Sequence, residues 1–302
     1  MRTREAATAP GLIRAGGFAA PTVSTVAQAA AGVAIAAAEE AGAVIRGGLH
    51  GALGISVKDA GGDLVTELDL RAERIILDRI RGAFPGHRVL AEESGVLEGF
   101  DDDWTWVVDP LDGTNNIAIG LPVCTVGVAL CHRGTPVLGV VHEPVAGHTW
   151  SAIRGRGARG PDGRLRCGSA PATGSGPVLA WLQGYPIRRT DPAARALRLT
   201  LEAGARRLIQ LWSPLLCWIM LSRGDIDGFV GYGAGHIDLP AGTLIAREAG
   251  VRIVGFDGAP LTEHITPAGG AIDFVAARPE VLPALARLVE SAAGVRVSGL
   301  PG

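Results

Sequence analysis

The chain has 302 residues, which is enough for one large domain or two fused ones. Hydrophobic residues make up 47% of the chain and charged residues 19%, so a sizeable core can form. The formal net charge of −2 indicates neither a basic surface for nucleic acid nor an acidic tail, so we expect no nucleic-acid partner. The four cysteines form no CxxC pair, which favours a reducing compartment over a zinc site or a disulfide framework.

Residues 1–23 are rich in alanine, glycine and proline, and we predict a flexible tail there. A signal peptide is the alternative, but Val26 to Ala38 is mostly alanine and runs into Glu39 and Glu40. This stretch is weakly hydrophobic and too short for a membrane span. We therefore expect a cytoplasmic protein with no membrane association.

The first half of the chain predicts two helices and then a run of strands. Ser24 is a helix cap candidate for a helix to about Ile45, residues 58–63 predict a loop, and Pro85 ends a second helix. Short turns separate the later apolar stretches, so we expect antiparallel pairing there. The predicted second helix spans residues 68–83, and the predicted strands span residues 89–90, 106–108, 123–131, 137–142 and 148–153.

The second half alternates strands and helices. Ser213-Pro214 is a good helix start, and the apolar residues that follow predict a buried helix over 215–221. Asp238 is a cap candidate for a helix that ends at Gly250. Further strands are predicted at 178–181, 229–230 and 252–254, and further helices at 192–203 and after Pro279. The order predicts an α+β fold with two packed halves over residues 24–172 and 173–302.

The stretch VVDPLDGTNN places Asp109 and Asp112 after two buried-type valines. Pro110 cannot continue a central ladder, so we expect a turn that points both carboxylates and the Leu111 carbonyl toward one spot. The amides of Gly113 and Thr114 would attract a phosphate, and carboxylates beside an anion need a cation between them. Magnesium typically bridges carboxylates and phosphates in this way. A plain Asp-Pro turn with a helix cap is the competing interpretation.

Three other acidic stretches have equally simple explanations when each is taken alone. AEES sets Glu92 and Glu93 in what could be a solvated turn, and DLVTELD places Asp69 where it could cap a helix. GHIDLPAG places Asp238 in another acidic helix start. In this order and spacing, however, the four stretches resemble the motifs of the inositol monophosphatase family of magnesium-dependent phosphatases. The resemblance extends from about Val26 to Ala292.

The resemblance implies a layered α+β sandwich with αβαβα order, two or three Mg²⁺ ions, and a small phosphate monoester as substrate. It implies that Thr114, paired with Asp69, positions and deprotonates the attacking water, with Glu92 acting through its metal. Gly113 and Thr114 would hold the phosphate, and a homodimer is expected because members often form one. The implied metal ligands are Glu92, Asp109, the carbonyl of Leu111, Asp112 and Asp238. The further candidate substrate contacts are Asp112, Asp238 and, from the sequence itself, Trp212 and His236.

The substrate side departs from the family's pattern. Gly231 stands where inositol phosphatases carry a glutamate, and Trp212-Ser213-Pro214-Leu215 stands in place of Gly-Thr-Ala-Ala. Trp212 could stack on a base or sugar face, or it could serve as a hydrophobic staple for the following helix. His236 could touch the substrate or simply form a local hydrogen bond.

These features predict a magnesium-dependent phosphomonoesterase for a sugar, cyclitol, nucleoside or amino-alcohol phosphate other than inositol phosphate. A nucleotide phosphatase is one alternative, and a non-catalytic regulatory protein that keeps the fold is another. A nicotinamide-binding enzyme is poorly supported, because the glycines at 155, 157 and 160 follow a meander strand without a helix signal.

Overall fold

A computed structural model describes residues 22–49, 51, 54–57, 64–168, 176–262, 264 and 269–295. The predicted loop at 58–63 lies outside these residues, as do residues 1–21 of the predicted tail and most of the boundary expected near residue 172. Residues 22 and 23 are not tail: Thr22 caps the first helix, which begins at Val23, and accepts the amide of Thr25.

Three sheets organise the described residues. Strands β1 (Ile55–Val57) and β2 (Leu64–Thr66) form a small antiparallel pair, and eight strands form a large sheet in the order β10-β9-β8-β7-β6-β5-β3-β4. These eight are β3 (His87–Ala91), β4 (Gly95–Leu97), β5 (Asp101–Asp112), β6 (Thr125–His132), β7 (Thr135–Glu143), β8 (His148–Ile153), β9 (Ala158–Gly160) and β10 (Gly163–Leu165). Strands β5 to β10 pair antiparallel as the short turns predict, whereas β3 and β5 are parallel.

The third sheet has five strands in the order β12-β11-β13-β15-β14. They are β11 (Val178–Gln183), β12 (Arg207–Ile209), β13 (Gly228–Ala234), β14 (Arg252–Val254) and β15 (Ile272–Ala277). Strand β11 pairs parallel with both β12 and β13, whereas β15 pairs antiparallel with both β13 and β14.

Seven helices within the described ranges form the layers on either side of and between the two larger sheets. They are α1 (Val23–Gly48), α2 (Glu67–Ala83), α3 (Thr114–Ala118), α4 (Pro192–Gly204), α5 (Pro214–Arg223), α6 (Pro240–Ala249) and α7 (Leu282–Ser291), with a short 3-10 turn at Ala292–Gly294. Helices α1 and α2 cover the large sheet, α5 and α6 lie between the two larger sheets, and α4 and α7 cover the outer face of the third sheet. The predicted αβαβα sandwich is therefore confirmed.

Helix α1 is longer than the sequence suggested. By length and composition its 26 residues could cross a membrane. Its alanine face, which includes Ala30, Ala34 and Ala41, is instead buried against α2 and the large sheet. Small side chains permit this close approach, so the helix forms part of the core.

Candidate metal and phosphate site

Asp109 and Asp112 lie at a bulge near the end of β5. Three steps along β5, from Asp109 to Asp112, face two steps along β6, from Gly127 to Thr125. The predicted turn is therefore a register shift within a continuing strand, and Pro110 lies at the irregular step where its missing amide costs no ladder hydrogen bond. Both carboxylates are buried.

Asp109 lies at the centre of a group of negative charges. Its Oδ1 accepts the Leu111 amide at 3.2 Å, and the Glu92 side chain is within hydrogen-bond reach. Burial, followed by the charges of Glu92, Asp112 and Asp238, raises the pKa of Asp109 well above its usual value. The structure therefore brings four of the predicted metal ligands together.

Asp112 is held by three donors on one oxygen. Its Oδ2 accepts the Ser213 hydroxyl at 2.8 Å, the Leu215 amide at 2.8 Å and the Thr125 hydroxyl at 3.0 Å. Burial raises the pKa of Asp112 to about 7, although these donors favour the charged form.

Glu92 follows β3, and its amide donates to the Val108 carbonyl of β5 at 3.1 Å. The turn after it is held by Glu73 of α2, whose carboxylate accepts the Glu93 amide at 2.8 Å and the Ser94 hydroxyl at 2.5 Å. The sequence reading missed Glu73. The sequence feature that could have revealed Glu73 is its position as an acidic residue on the apolar face of α2, four residues after Asp69.

Asp69 and Thr114 form the expected pair. The Thr114 hydroxyl donates to Asp69 Oδ1 at 2.7 Å and has the Leu111 carbonyl as a second acceptor at 3.0 Å. Asp69 Oδ2 accepts the amide and the hydroxyl of Thr66 in a capping box. Asp69 therefore caps α2 and contacts Thr114 at once. Burial raises its pKa, and the negative charge of Glu92 adds to the rise.

Gly113 starts α3 with φ of +113°, and a Cβ there would lie 2.6 Å from the Val123 carbonyl oxygen. Only glycine fits this close approach without strain. The backbone can therefore turn sharply after Asp112 and place Thr114 against Asp69.

Asp238 does not cap a helix, which corrects one expectation. Helix α6 begins at Pro240 with Leu239 as its N-cap, and no side chain caps it. A proline at the first helical position needs no partner for an amide, and the Asp238 carboxylate lies within electrostatic range of the site. Its charge acts on Asp109.

These oxygen donors fit magnesium. Within the described part of the chain, no group of three or more His, Cys, Asp or Glu side chains is placed so that it could hold a metal ion by itself. Magnesium does not require one, because it keeps several waters and is held by one or two carboxylates together with substrate phosphate. Buried carboxylates that raise one another's pKa are relieved by a cation, so the chemistry of the donor set favours one.

The substrate side differs from the family's pattern for a visible reason. A Cβ on Gly231 would lie 2.2 Å from the ring of Phe274, its partner residue across β13 and β15. The place of the family's glutamate is therefore filled by an aromatic ring. Trp212 is 47% exposed, so it is poorly placed as a staple. His236 is partly buried, and its ring closely approaches Gly269.

The glycine-rich stretch after β8 does not bind a cofactor phosphate. Gly155 and Gly157 have positive φ, and their amides each donate to the Glu248 carboxylate of α6 at 2.7 Å. A carboxylate from the same chain already occupies the place where a dinucleotide motif would hold an anion. The structure agrees with the glycine turn that the sequence favoured.

Taken together, the layered sandwich and the buried carboxylates at a strand bulge define a class of phosphatase-like proteins. The model of the inositol monophosphatase family matches residues 27–293, and the chain belongs to that family.

Relatives and solved structures agree with this assignment. The Nus factor SuhB of Pasteurella multocida is 36% identical over 230 residues, which cover 75% of this chain and 85% of the relative. The extragenic suppressor protein suhB of Bartonella henselae superposes with a TM-score of 0.76 at 28% identity and covers 87% of this chain and 98% of its own. An inositol monophosphatase from Anabaena gives 0.74 at 28% identity, with 87% and 96% covered.

These names correct one expectation. Net charge led us to exclude nucleic acid as a partner, yet curated relatives are named Nus factors, a name given to transcription factors. The exclusion was wrong because net charge averages over the whole surface and is silent about local patches.

Proposed function

We propose that this protein is a magnesium-dependent phosphomonoesterase acting on a small polyol-type phosphate other than inositol phosphate: a sugar, cyclitol, nucleoside or amino-alcohol phosphate. The convergence of Glu92, Asp109, Asp112 and Asp238 beside the Asp69–Thr114 pair carries the proposal. Glu92, Asp109, the Leu111 carbonyl, Asp112 and Asp238 would hold two or three ions. Bound magnesium supplies Lewis acidity, which offsets phosphate charge and lowers the pKa of a water molecule.

Thr114 and Asp69 move the proton. The Thr114 hydroxyl gives its hydrogen bond to Asp69 Oδ1, so its own oxygen remains an acceptor for a proton of the attacking water. Because burial raises its pKa, Asp69 is a better base than an exposed aspartate. The water oxygen bonds to phosphorus as the ester P–O bond breaks, and the leaving oxygen takes the bonding electron pair and a proton from solvent water to depart as the alcohol. The Gly113 and Thr114 amides would orient the phosphate.

The side of the site that departs from the family's pattern would determine which alcohol portion of the phosphate ester is accepted. Gly231 offers no carboxylate for ring hydroxyls, and Phe274 fills that place, which argues against inositol phosphate. Exposed Trp212 provides a flat surface that suits a base or sugar face, so a nucleotide phosphatase is the close alternative.

Phosphate release from a panel of sugar, cyclitol, nucleoside and histidinol phosphates tests the proposal. Each compound is run with magnesium, with a chelator, and with Asp112→Asn. We expect magnesium-dependent release that Asp112→Asn abolishes and that the matched control Asp103→Asn, at an exposed ion pair with Arg133, retains. Folded protein that binds magnesium yet releases phosphate from no compound would contradict it.

We propose as a second candidate a regulatory role that involves nucleic acid, because relatives are named Nus factors. An arginine-rich segment supports it. Between residues 154 and 166 five exposed arginines stand against a single acidic residue, Asp162. Arg159 and Arg164 face each other across β9 and β10, where like charges are unfavourable. In the described residues no acidic side chain pairs with either of them, so a polyanion would relieve their repulsion.

Binding of fluorescently labelled RNA, followed by anisotropy at two salt concentrations, tests this role. We expect salt-dependent binding that the double variant Arg159→Ser/Arg164→Ser weakens and that Arg195→Ser/Arg198→Ser on α4 retains. Phosphate release should be unchanged in both variants. Equal binding by both would contradict a role for the arginine-rich segment.

A further inference from the structure

The first turn of α5 has no cap of its own. Ser213 occupies the N-cap position, yet its side chain makes no capping hydrogen bond to the helix. Pro214 has no amide to donate, so Leu215 carries the first free N–H of the helix. An N-cap side chain normally accepts this second amide or the next one.

Asp112 fills the place of the missing cap, although it lies 103 residues earlier in the chain than Leu215. The Leu215 amide donates to Asp112 Oδ2 at 2.8 Å, and the fully buried Ser213 hydroxyl donates to the same oxygen at 2.8 Å. The Thr125 hydroxyl of β6 donates to the same oxygen at 3.0 Å. Within the described residues, Asp112 Oδ1 accepts no hydrogen bond.

From this geometry we propose that Ser213 is a positioning residue for the metal site: it and the first turn of α5 fix Asp112 Oδ2 so that Oδ1 is presented to the cation. The proposal rests on the proposed function, in which Asp112 is a magnesium ligand. Three donors on one oxygen prevent the carboxylate from rotating unless several hydrogen bonds break. The positive end of the α5 dipole also favours a carboxylate at this point.

The same contact joins the two faces of the site. Asp112 belongs to the large sheet, whereas Trp212 lies immediately before Ser213, the N-cap residue of α5. Movement of α5 would therefore change both the direction of Asp112 and the place of the exposed indole. Ser213 therefore contributes to the geometry of the site as well as to packing. This role can be tested without measuring catalytic turnover.

Magnesium affinity by isothermal titration calorimetry is the decisive measurement. Loss of a residue that orients a metal ligand typically weakens affinity about 10- to 100-fold, and we expect this for Ser213→Ala. Ser213→Thr keeps the hydroxyl and should restore affinity to within a few-fold of the wild type. Thr125→Val removes another donor to the same oxygen and should also weaken binding.

Ser222→Ala is the matched control. Ser222 is an equally buried serine of α5, but its hydroxyl donates to the Trp218 carbonyl at 2.7 Å and does not touch the site. We expect its magnesium affinity to equal that of the wild type. Wild-type affinity in folded Ser213→Ala would overturn the proposal, and if that variant does not fold, wild-type affinity in Thr125→Val would do so.

The two proposals fail in different ways. Wild-type protein that binds magnesium but releases no phosphate overturns the proposed phosphatase and leaves the role of Ser213 intact. Wild-type protein that binds no magnesium overturns both. Unchanged affinity in Ser213→Ala beside an active wild type overturns the role of Ser213 alone.

Discussion

The two walls of the candidate site have diverged to different degrees. The wall from β5 and α3 keeps every polar group that the family resemblance implies, from Asp109 to Thr114, each held by buried hydrogen bonds. The wall from β13 and α5 has lost its glutamate to Gly231, with Phe274 in the space. Under the proposed function, the chemistry and the choice of substrate therefore depend on separate parts of the molecule.

The difference between the two walls has a physical origin. Catalytic groups on the first wall depend on one another: Asp69 caps α2 and contacts Thr114, so neither can change alone. Groups on the second wall act one at a time against a substrate and can be replaced separately. We therefore expect substitutions in the first wall to abolish turnover and those in the second to redirect it.

The largest effect is expected for Thr114→Ala. Removal of the hydroxyl breaks the link between Asp69 and the attacking water, and proton transfer by a positioned side chain contributes about 10²- to 10⁴-fold. We expect kcat to fall by this factor with little change in KM. Thr114→Ser, which keeps the hydroxyl, should retain most of the activity, and equal rates for the alanine variant and wild type would remove Thr114 from the mechanism.

Next in size is the attempt to restore the missing glutamate. Gly231→Glu places a charged side chain against the Phe274 ring in a buried strand, and an unpaired buried charge with overpacking costs about 2–5 kcal/mol. We expect a lower free energy of unfolding in urea and no gain of inositol phosphate hydrolysis. Gly82→Glu, at an exposed helical site with open space, is the control. Restored inositol phosphatase activity would show that the second wall is less altered than proposed.

A smaller effect is expected at Trp212. If the indole stacks on a base, Trp212→Ala should cost about 1–3 kcal/mol in kcat/KM for nucleoside phosphates and much less for sugar phosphates. Because Trp212 is exposed, thermal stability should change little. Equal losses on both substrate groups would argue that the residue acts through α5 instead.

Sequence patterns predicted strongly periodic or well-capped elements best. Residues 148–153 and 252–254 form strands with the predicted ends, and Gly250 ends α6 in a left-handed conformation as expected. Strand β5 was predicted as three residues but spans twelve, because Asp101–Asp103 and Asp109-Pro110 have low strand propensity and only pairing with β3 and β6 holds them extended.

Short strands and long-range contacts were missed. Strands β4, β9, β10 and β12 have three residues each, too few for a period-two pattern to stand out. The candidate site ligands could be proposed from the sequence because motif spacing is local. The roles of Glu73 and Ser213 were not, because each depends on a partner at least 20 residues away.

The smallest predicted effect is a pH dependence of stability that arises in the scaffold, away from the candidate site. His142 of β7 is buried against Gly42 of α1 and hydrogen bonds to Thr149, which in turn donates to Glu39. Burial lowers the pKa of His142 below its usual 6.5, so the folded state disfavours the proton. This contribution to stability is complete above about pH 6.5 and is lost as the pH falls below it.

His142→Asn should therefore remove part of the acid-side loss seen in urea unfolding of the wild type, whereas the control His264→Asn, at an exposed site, should not. Raised-pKa carboxylates of the site act with the opposite sign and are present in all three proteins, so the difference between the curves isolates His142. Parallel curves for the wild type and His142→Asn would show that α1 is not held by a neutral histidine.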